Sequence, residues 1–395
     1  MDAHTSPPCR IGIVGTGFLG RGLLALLEQA PDFEPSNVLT RRPLDQVPDI
    51  DRDLLTNSAD ELIEGCELLV ECSGDVFHAA DVVLKAHQAG RPVVTMDAEF
   101  QATVGSYFCD TGFLTEAEGD QPGSLAALHE EVVSMGFVPV VYGNMKGFLN
   151  HNPTREDMEF WSRKNGISLP MVTSFTDGTK LQVEQTLCAN GLGAGILCQG
   201  LVGPEGVTLD ELAQDLGPRA ESLGRAVVDY VLNPELPPGV FVVARHPAVD
   251  PSVLRYLKLG DGPYYSLLRP YHLCHLEMMR TLRRVVNGGS VLLNNSPSPD
   301  LQVVALAKSD LQAGHFIERG IGGFDVRGEA AGFVEHPGAV PIGLLDGARL
   351  VRNIERDRVI GWDDVEVREG LARDAALEIA RRVLSADPVS AAVLE

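Results

Sequence analysis

Residues Arg10–Gly20 read RIGIVGTGFLG, and this stretch decides the fold expected for the N-terminal part of the chain. A short apolar run, typical of a buried β-strand, leads into the pattern Gly15-x-Gly17-x-x-Gly20, and leucines at helical spacing follow. In such a strand–turn–helix unit, the first glycine permits a tight turn, the second lets the backbone approach a pyrophosphate, and the third allows close packing of the helix on the strand. We therefore predict a Rossmann-type dinucleotide-binding domain. Its predicted cofactor contacts in this stretch are Gly15, Gly17, Phe18, Leu19 and Gly20.

The residues at the end of the predicted second strand, Asn37–Thr40, indicate which dinucleotide is bound. NAD-binding domains commonly carry an acid about 20 residues after the glycines, where it binds the ribose 2′-hydroxyl. This chain has Thr40, Arg41 and Arg42 there, and guanidinium groups suit a 2′-phosphate. The sequence therefore favours NADPH, and a solvated basic turn is the alternative.

Two later apolar runs, Leu68–Gly74 and Pro92–Met96, predict further strands of the same sheet. Ligands of such sheets bind at the carboxyl ends of the strands. Ser73 and Gly74 are therefore predicted to contact the cofactor. Asp97 and Glu99 follow the later strand and could face the nicotinamide or the substrate, although an ordinary polar strand end is the preferred interpretation.

The greatest concentration of acid–base side chains lies in residues 171–195, which read MVTSFTDGTKLQVEQTLCANGLGAG. We expect a strand over Met171–Phe175, a turn, and a helix that starts near Thr179. Lys180 and Glu184 are four residues apart, so they share one face of that helix, and Asp177 precedes them in the turn. A capped helix with a surface ion pair is the alternative to a catalytic role.

A carbonyl reductase needs a group that protonates or stabilises the developing alkoxide. Lys180 is the predicted donor, and Asp177 and Glu184 are expected to orient it and set its pKa. Lys146, in the predicted loop Gly143–Gly147, is the second predicted catalytic cation.

A later segment, Asp261–Leu276, is dense in hydrogen-bonding side chains. Arg269 is a candidate anion anchor there, and His272 is a candidate acid–base group. The predicted substrate contacts are Asn144, Thr179, Asn190, Arg269 and His272.

No metal ligand is predicted. Asp177, Glu184 and Asp97 could offer oxygen atoms to a divalent metal, so a metal stays possible, but the sequence holds no definite loop for a hard cation.

Composition excludes several classes of protein. The chain has 395 residues, of which 44% are hydrophobic, so it is long enough for two or three domains with real cores. A formal charge of −23 argues against a nucleic-acid binder, which needs surplus Lys and Arg. Seven cysteines without a C-x-x-C pair fit reduced thiols. With no secretory signal pattern and no long apolar run, we expect a cytoplasmic protein that does not bind membranes.

The C-terminal part differs in character from the rest of the chain. Residues Asn294–Pro299, NNSPSP, read as a linker, and short predicted strands follow before a closing helix over Leu371–Leu384. The strands are expected at Val303–Leu306, Ser309–Gly314, Ile342–Leu345 and Val359–Val365. We therefore predict an α/β chain of three domains: a Rossmann domain over 1–142, a central α+β domain over 143–298 and a β-rich domain over 299–395.

Several of these segments resemble a known family. The chain is similar to homoserine-dehydrogenase-like oxidoreductases with a C-terminal SAF domain, through KSDLQAG at 308–314 and VIGWDDV at 359–365. Its middle part looks most like the 1-deoxy-D-xylulose 5-phosphate reductoisomerase-like enzymes. The matching pieces are GNMKGFLN at 143–150, NGISLPMVTSFTDGTKLQVEQ at 165–185 and YYSLLRPYHLCHLE at 264–277.

This resemblance implies a catalytic and dimerisation role for the central domain, and NADPH-dependent reduction of a carbonyl after a skeletal rearrangement. The expected partners are a small-molecule substrate and a second copy of the chain, as a homodimer or higher oligomer. Reduction of an amino-acid semialdehyde, as in homoserine dehydrogenase, is one alternative. A protein that senses NADPH or another ligand without turnover is another.

Overall fold

The computed structural model describes residues 7–386, and its N-terminal part contains a six-stranded parallel sheet. The strand order is β3-β2-β1-β4-β5-β6, which is the order of a Rossmann domain. The strands are β1 (Cys9–Val14), β2 (Phe33–Leu39), β3 (Leu55–Thr56), β4 (Leu68–Glu71), β5 (Val93–Thr95) and β6 (Leu114–Glu116). The helices of this part are α1 (Phe18–Leu27), α2 (Ala59–Gly65), α3 (Val76–Gln88), α4 (Ala98–Phe100) and α5 (Ser106–Phe108), with a π-helix over Gln101–Gly105 between the last two. The predicted Rossmann fold is confirmed.

The glycines of the β1–α1 turn are required by its geometry. Gly15 has a φ of +112°, which L-residues with side chains rarely adopt, and a Cβ there would lie 2.8 Å from the carbonyl oxygen of Cys72. A Cβ on Gly20 would lie 2.1 Å from the carbonyl oxygen of Gly15. Gly17 has open space on its Cβ side. The first and third glycines therefore shape the turn, while the second leaves room for a ligand.

A second, mixed sheet of four strands follows, in the order β10-β9-β7-β8. Its strands are β7 (Val138–Lys146), β8 (Val227–Leu232), β9 (Gly239–Arg245) and β10 (Tyr265–Arg269). Alternate residues point to opposite faces, as in any strand. The helices of this part are α6 (Gln121–Ser134), α7 (Arg155–Asn165), α8 (Leu169–Thr176), α9 (Thr179–Leu192), α10 (Leu209–Leu223), α11 (Pro251–Tyr256) and α12 (His275–Val286). One face of the sheet packs in a core shared with α6 and α9, and the other face packs on α10.

The C-terminal part is made of short strands and one long helix. Strands β11 (Leu301–Ala307) and β13 (Val326–Gly332) form an antiparallel pair that packs on α9. Strands β12 (Phe316–Ile317), β14 (Ala348–Leu350) and β15 (Val365–Glu366) form a second small sheet, and α13 (Leu371–Ala386) closes the described chain. None of the helices described combines the length and the apolar character that a membrane crossing requires.

The structure corrects several sequence-based expectations. Met171–Phe175 is not a strand but lies within α8, where Thr173 donates its hydroxyl hydrogen to the carbonyl of Leu169 one turn earlier. Tertiary packing has outweighed the β-propensity of this short run. The predicted loop Gly143–Gly147 is largely strand, because β7 continues to Lys146. Gly143 fits there since the ring of Phe241 lies where its Cβ would be.

Other boundaries also differ. The apolar and helical pattern of residues 209–231 predicts one helix, but α10 ends at Leu223, where Gly224 adopts a φ of +81°, and the apolar residues beyond it form β8. Residues Ile342–Leu344 form a 3₁₀ turn and not a strand. The expected linker at 294–299 is anchored, because Asn295 is buried and hydrogen-bonded to Asn190. The predicted division between residues 142 and 143 falls inside β7.

Candidate functional site

The candidate site lies at the carboxyl edge of the parallel sheet, where β5 and β6 end. Glu99 comes shortly after β5, and Asp120 comes shortly after β6. Lys180, in the first turn of α9, places its Nζ 2.9 Å from Glu99 Oε2 and 3.6 Å from Asp120 Oδ2. Its side chain is 11% exposed, so this is a nearly buried cation held by two carboxylates. Ligands of Rossmann domains bind at this edge of the sheet.

Charge keeps Lys180 protonated. Burial lowers the pKa of Lys180, but the negative charges of Asp120, Glu99 and Glu184 outweigh that effect and raise the pKa well above its ordinary value. The side chain is therefore an ammonium group at neutral pH. Such a group can donate a hydrogen bond or a proton to an oxygen that becomes negative, and it is unsuited to act as a base.

A second cation, Lys146, lies beside Glu184. Glu184 is one turn further along α9 than Lys180. Lys146 Nζ is 3.4 Å from Glu184 Oε2 and donates a 2.6 Å hydrogen bond to Gln121 Oε1. Asn144 donates its amide to the same Glu184 oxygen at 2.8 Å. Glu184 therefore hydrogen-bonds to Lys146 and Asn144, and it acts on Lys180 only through its charge.

Several buried carboxyl groups surround these cations. Burial raises the pKa of Glu184, and the charges of Lys146 and Lys180 partly oppose this rise. Burial, reinforced by neighbouring carboxylates, raises the pKa of Asp97 and of Glu116 well above the ordinary range.

Polar atoms at the site lack hydrogen-bond partners within residues 7–386. They are Asp97 Oδ2, Glu116 Oε1, Asp120 Oδ2 and Asn144 Oδ1, and all are buried. Unsatisfied buried polar atoms are costly in a folded protein. A polyhydroxylated ligand carries the donors that such acceptors need.

Asp177 does not have the role predicted for it. Its Oδ2 accepts a 2.7 Å hydrogen bond from Lys308 Nζ, and its Oδ1 accepts one of 2.8 Å from the backbone N–H of Thr179. Thr179 accepts in turn from the backbone N–H of Gly328 at 2.9 Å. The expectation that Asp177 orients Lys180 directly, or offers an oxygen to a metal together with Glu184, is therefore wrong, and Thr179 is likewise committed to a contact with β13.

Asn190, a predicted substrate contact, forms all its hydrogen bonds within the protein itself. Asn190 accepts from the backbone N–H groups of Asp300 and Leu301 and donates to Asn295 and to the carbonyl of Leu301. It is a structural residue that holds the start of β11.

Arg269 is buried and forms ion pairs with Glu118, at 2.8 Å, and with Glu131. Because two carboxylates already neutralise it, Arg269 is not a free anion anchor. His272 is only partly buried and is close enough to Glu184 to help lower the pKa of that carboxyl. Of the predicted contacts in this segment, His272 is the one placed beside the cluster.

Among residues 7–386, no group of three or more His, Cys, Asp and Glu side chains is arranged to hold a metal ion. The donors in this part of the chain do not fit a metal centre.

The predicted dinucleotide contacts surround the N-terminus of α1. Gly17 is exposed there, and no side chain caps the helix, so its first backbone N–H groups are free to bind phosphate. Phe18 is 57% exposed and packs edge-on against His275, and Leu19 is partly buried behind it. On the neighbouring strand end, Gly74 is open on its Cβ side and Ser73 donates its backbone N–H to Glu71. These residues fit a dinucleotide.

The strand end after β2 holds the groups predicted to select NADPH. Arg42 donates from Nη2 to the hydroxyl of Thr16 at 2.6 Å, and its backbone N–H donates to Thr40 Oγ1 at 3.2 Å. Arg41 is paired instead with Asp75 at 2.7 Å. Of the two arginines, Arg42 is therefore the one held beside the glycine turn without a carboxylate partner within the described chain.

Sequence reasoning missed the partners of Lys180. Glu99 was assigned to an ordinary polar strand end, and Asp120 was not singled out as a site residue. A signal was present in both cases, since each acid closely follows a strand of the parallel sheet and so lies at its binding edge. Lys308, the partner of Asp177, carried no such signal.

Comparison with known proteins indicates the class of reaction that the chain catalyses. Residues 119–278 match the family described as "Oxidoreductase DRL, catalytic domain". This range includes Lys146, Lys180 and Glu184, and the match confirms the predicted oxidoreductase enzyme. A sensor without turnover is therefore set aside. No curated protein matches the chain.

Solved structures show a distant likeness. UDP-N-acetylglucosamine 3-dehydrogenase from Acidithiobacillus ferrooxidans is 12% identical, with a TM-score of 0.42, and the match covers 73% of this chain and 92% of that one. A dehydrogenase from Clostridium difficile is also 12% identical, with a TM-score of 0.43, and that match covers 73% of this chain and 94% of the other.

Proposed function

We propose that this protein reduces a carbonyl group of a small polyol with NADPH, as a reductoisomerase similar to the 1-deoxy-D-xylulose 5-phosphate reductoisomerase-like enzymes. The observation that carries the proposal is the position of Lys180. Its ammonium lies at the carboxyl edge of a Rossmann sheet, between Glu99 and Asp120, with Lys146 and Glu184 beside it. The matched catalytic domain and the long sequence segments shared with that family support the same chemistry.

NADPH would be held by the β1–α1 turn, with Gly17 and the helix N-terminus at the pyrophosphate and Arg42 with Thr40 at the 2′-phosphate. When bound, it supplies a hydride to the carbonyl carbon. Every other task falls to side chains of the protein.

Lys180 protonates the oxygen of the reduced carbonyl. As the carbonyl carbon gains a hydride, its oxygen becomes an alkoxide, and transfer of one proton from Lys180 Nζ completes the alcohol. Glu99 and Asp120 hold the ammonium in place and stabilise its charge before the reaction. General acid catalysis of this kind contributes about 10²–10⁴-fold.

Glu184 is the base for the rearrangement that precedes reduction. A hydroxyl beside a ketone loses its proton to Glu184, the neighbouring carbon migrates to the ketone carbon, and the former hydroxyl carbon becomes the new carbonyl. The proton held by Glu184 then completes the hydroxyl at the former ketone, so atoms balance before the reduction begins. Lys146, at 3.4 Å from Glu184, stabilises the negative oxygen during migration.

One observation favours the second candidate, reduction of an amino-acid semialdehyde. The site has more carboxylates than cations, and a carboxylate such as Glu184 could pair with a substrate amine. The two candidates differ in substrate and in product skeleton.

The test is oxidation of NADPH at 340 nm with purified protein and a panel of phosphorylated and unphosphorylated ketoses together with aspartate semialdehyde. The proposal expects turnover with a ketose, above all 1-deoxy-D-xylulose 5-phosphate, and a branched product by NMR. A product with an unbranched skeleton would remove the rearrangement and leave simple reduction. Turnover with aspartate semialdehyde alone would overturn the proposal in favour of the second candidate.

A further inference from the structure

Helix α9, which carries Lys180 and Glu184, is enclosed on all sides. Every residue from Thr179 to Asn190 is buried, although many of them are polar. Buried polar groups need hydrogen-bond partners, so an enclosed polar helix depends on what surrounds it. Here much of the surrounding structure comes from the C-terminal strands.

Strand β13 follows the first turns of the helix. Its backbone N–H groups at Gly328 and Ala330 donate to Thr179 Oγ1 and Gln182 Oε1, both at 2.9 Å. At the other end of α9, Asn190 binds the start of β11. The C-terminal part therefore holds α9 at both ends.

The strongest of these contacts precedes Lys180 by three residues. Lys308, at the end of β11, donates to Asp177 Oδ2 at 2.7 Å and to the carbonyl of Gly323 at 2.8 Å. Both side chains of the pair are buried, with 6% of Lys308 and none of Asp177 exposed. The other oxygen of Asp177 receives the N–H of Thr179, which is the residue before Lys180.

We propose that Lys308 is a positioning residue: by fixing Asp177 and the turn into α9, it places the Lys180 ammonium between Glu99 and Asp120. The C-terminal part is then a component of the catalytic unit. This inference rests on the proposed role of Lys180 as proton donor.

The proposal follows from what loss of the cation would do. Burial raises the pKa of Asp177 and the charge of Lys308 lowers it, so loss of Lys308 shifts this carboxyl toward its neutral form. A neutral carboxyl is a weaker acceptor for the N–H of Thr179, and the turn loses its anchor. Displacement of a catalytic group by about 1 Å can cost about 10²-fold in rate.

The test compares Lys308→Met with Lys308→Arg, which keeps the charge, and with Arg225→Met as a matched control. The side chains of Arg225 and Asp300 form an exposed ion pair that links the same two parts of the chain. Each variant is measured for NADPH affinity, for kcat and KM with 1-deoxy-D-xylulose 5-phosphate, and for hydrogen–deuterium exchange of residues 177–184. If Lys308→Met does not fold, Lys308→Gln takes its place under the same criteria.

We expect Lys308→Met to lower kcat at least tenfold and to speed exchange of residues 177–184 at least threefold, with NADPH affinity within twofold of wild type. Lys308→Arg should keep kcat within about threefold, and Arg225→Met should change nothing. A kcat within twofold of wild type in Lys308→Met, or unchanged exchange, would overturn the proposal and leave the pair as a stability contact.

Lys180→Met, measured in parallel, distinguishes failure of the positioning role of Lys308 from failure of the proposed role of Lys180. If Lys180→Met loses activity while Lys308→Met keeps it, only the positioning role fails. If Lys180→Met keeps its activity, the proposed function of Lys180 fails first. Should the wild type not turn over this ketose, exchange of residues 177–184 in the NADPH-bound protein still decides whether Lys308 anchors the turn.

Discussion

Replacement of Arg42 by Ala should remove the proposed preference for NADPH and leave NADH binding unchanged. The guanidinium of Arg42 is held in advance of binding, through 2.6 Å and 3.2 Å hydrogen bonds to the side chain and the carbonyl of Thr16 in the glycine turn. Its backbone is fixed as well, by Thr40 and by Asn57. Little side-chain entropy remains to be lost when a 2′-phosphate binds.

The size of the effect follows from the kind of contact that is lost. A hydrogen bond to a charged group contributes about 1.5–3 kcal/mol. At about 1.4 kcal/mol per tenfold change, the Kd for NADPH should rise about 10- to 150-fold in Arg42→Ala. Arg41→Ala is the matched control, because Asp75 already neutralises Arg41 at 2.7 Å, and its effect should be clearly smaller.

The assay is titration of nicotinamide fluorescence with NADPH and with NADH for the wild type and both variants. Selective loss of NADPH binding in Arg42→Ala supports the assignment. Equal loss for NADPH and NADH would show that Arg42 only supports the turn. A larger effect in Arg41→Ala would refute the reasoning, since it would place the phosphate on the paired arginine.

Three further predictions concern the rest of the molecule. Gly20→Ala should abolish NADPH binding in a fluorescence titration, because a Cβ would lie 2.1 Å from the carbonyl oxygen of Gly15; unchanged binding would contradict this. Burial raises the pKa of Glu71 from 4.5 to about 7, so the folded protein keeps a proton that the unfolded chain releases over this interval. The free energy of unfolding in urea should therefore fall as pH rises from 4.5 to 7, by up to about 1.4 kcal/mol per pH unit from this group, and Glu71→Gln should remove that slope; the same slope in the variant would contradict it. Asn190→Ala should lower the free energy of unfolding by about 1–3 kcal/mol with kcat within twofold, whereas a tenfold loss of kcat would restore its predicted substrate role.

The N-terminal fold was predictable because its signal is local. The glycine pattern at 15–20 lies within one strand–turn–helix unit, and its spacing is imposed by backbone geometry at Gly15 and Gly20. The secondary structure of short apolar runs elsewhere was harder to predict, because the same residues suit either a buried strand or a buried helix. Met171–Phe175 and 227–231 were assigned the wrong type for this reason, and packing decided the outcome.

Part of the candidate site was also predictable from local sequence patterns. Lys180 and Glu184 are related by helical spacing, and Lys146 stands at the end of a strand. The ion pairs themselves are long-range: Glu99 is 81 residues from Lys180, and Lys308 is 131 residues from Asp177. No local pattern relates such pairs, so Asp177 was assigned to its sequence neighbour Lys180, although its actual partner, Lys308, follows directly after β11.

The most direct test of the central claim is the rate of NADPH oxidation by Lys180→Met, under saturating NADPH and the substrate that the wild type reduces. The variant removes the ammonium between Glu99 and Asp120 at nearly constant side-chain volume, and the surface variant Lys85→Met, which breaks an exposed pair with Asp60, is its control. We expect a kcat about 10²–10⁴-fold lower for Lys180→Met, with NADPH affinity within twofold of wild type and Lys85→Met unchanged. A loss of less than tenfold in folded protein would contradict the assignment of Lys180 as the proton donor.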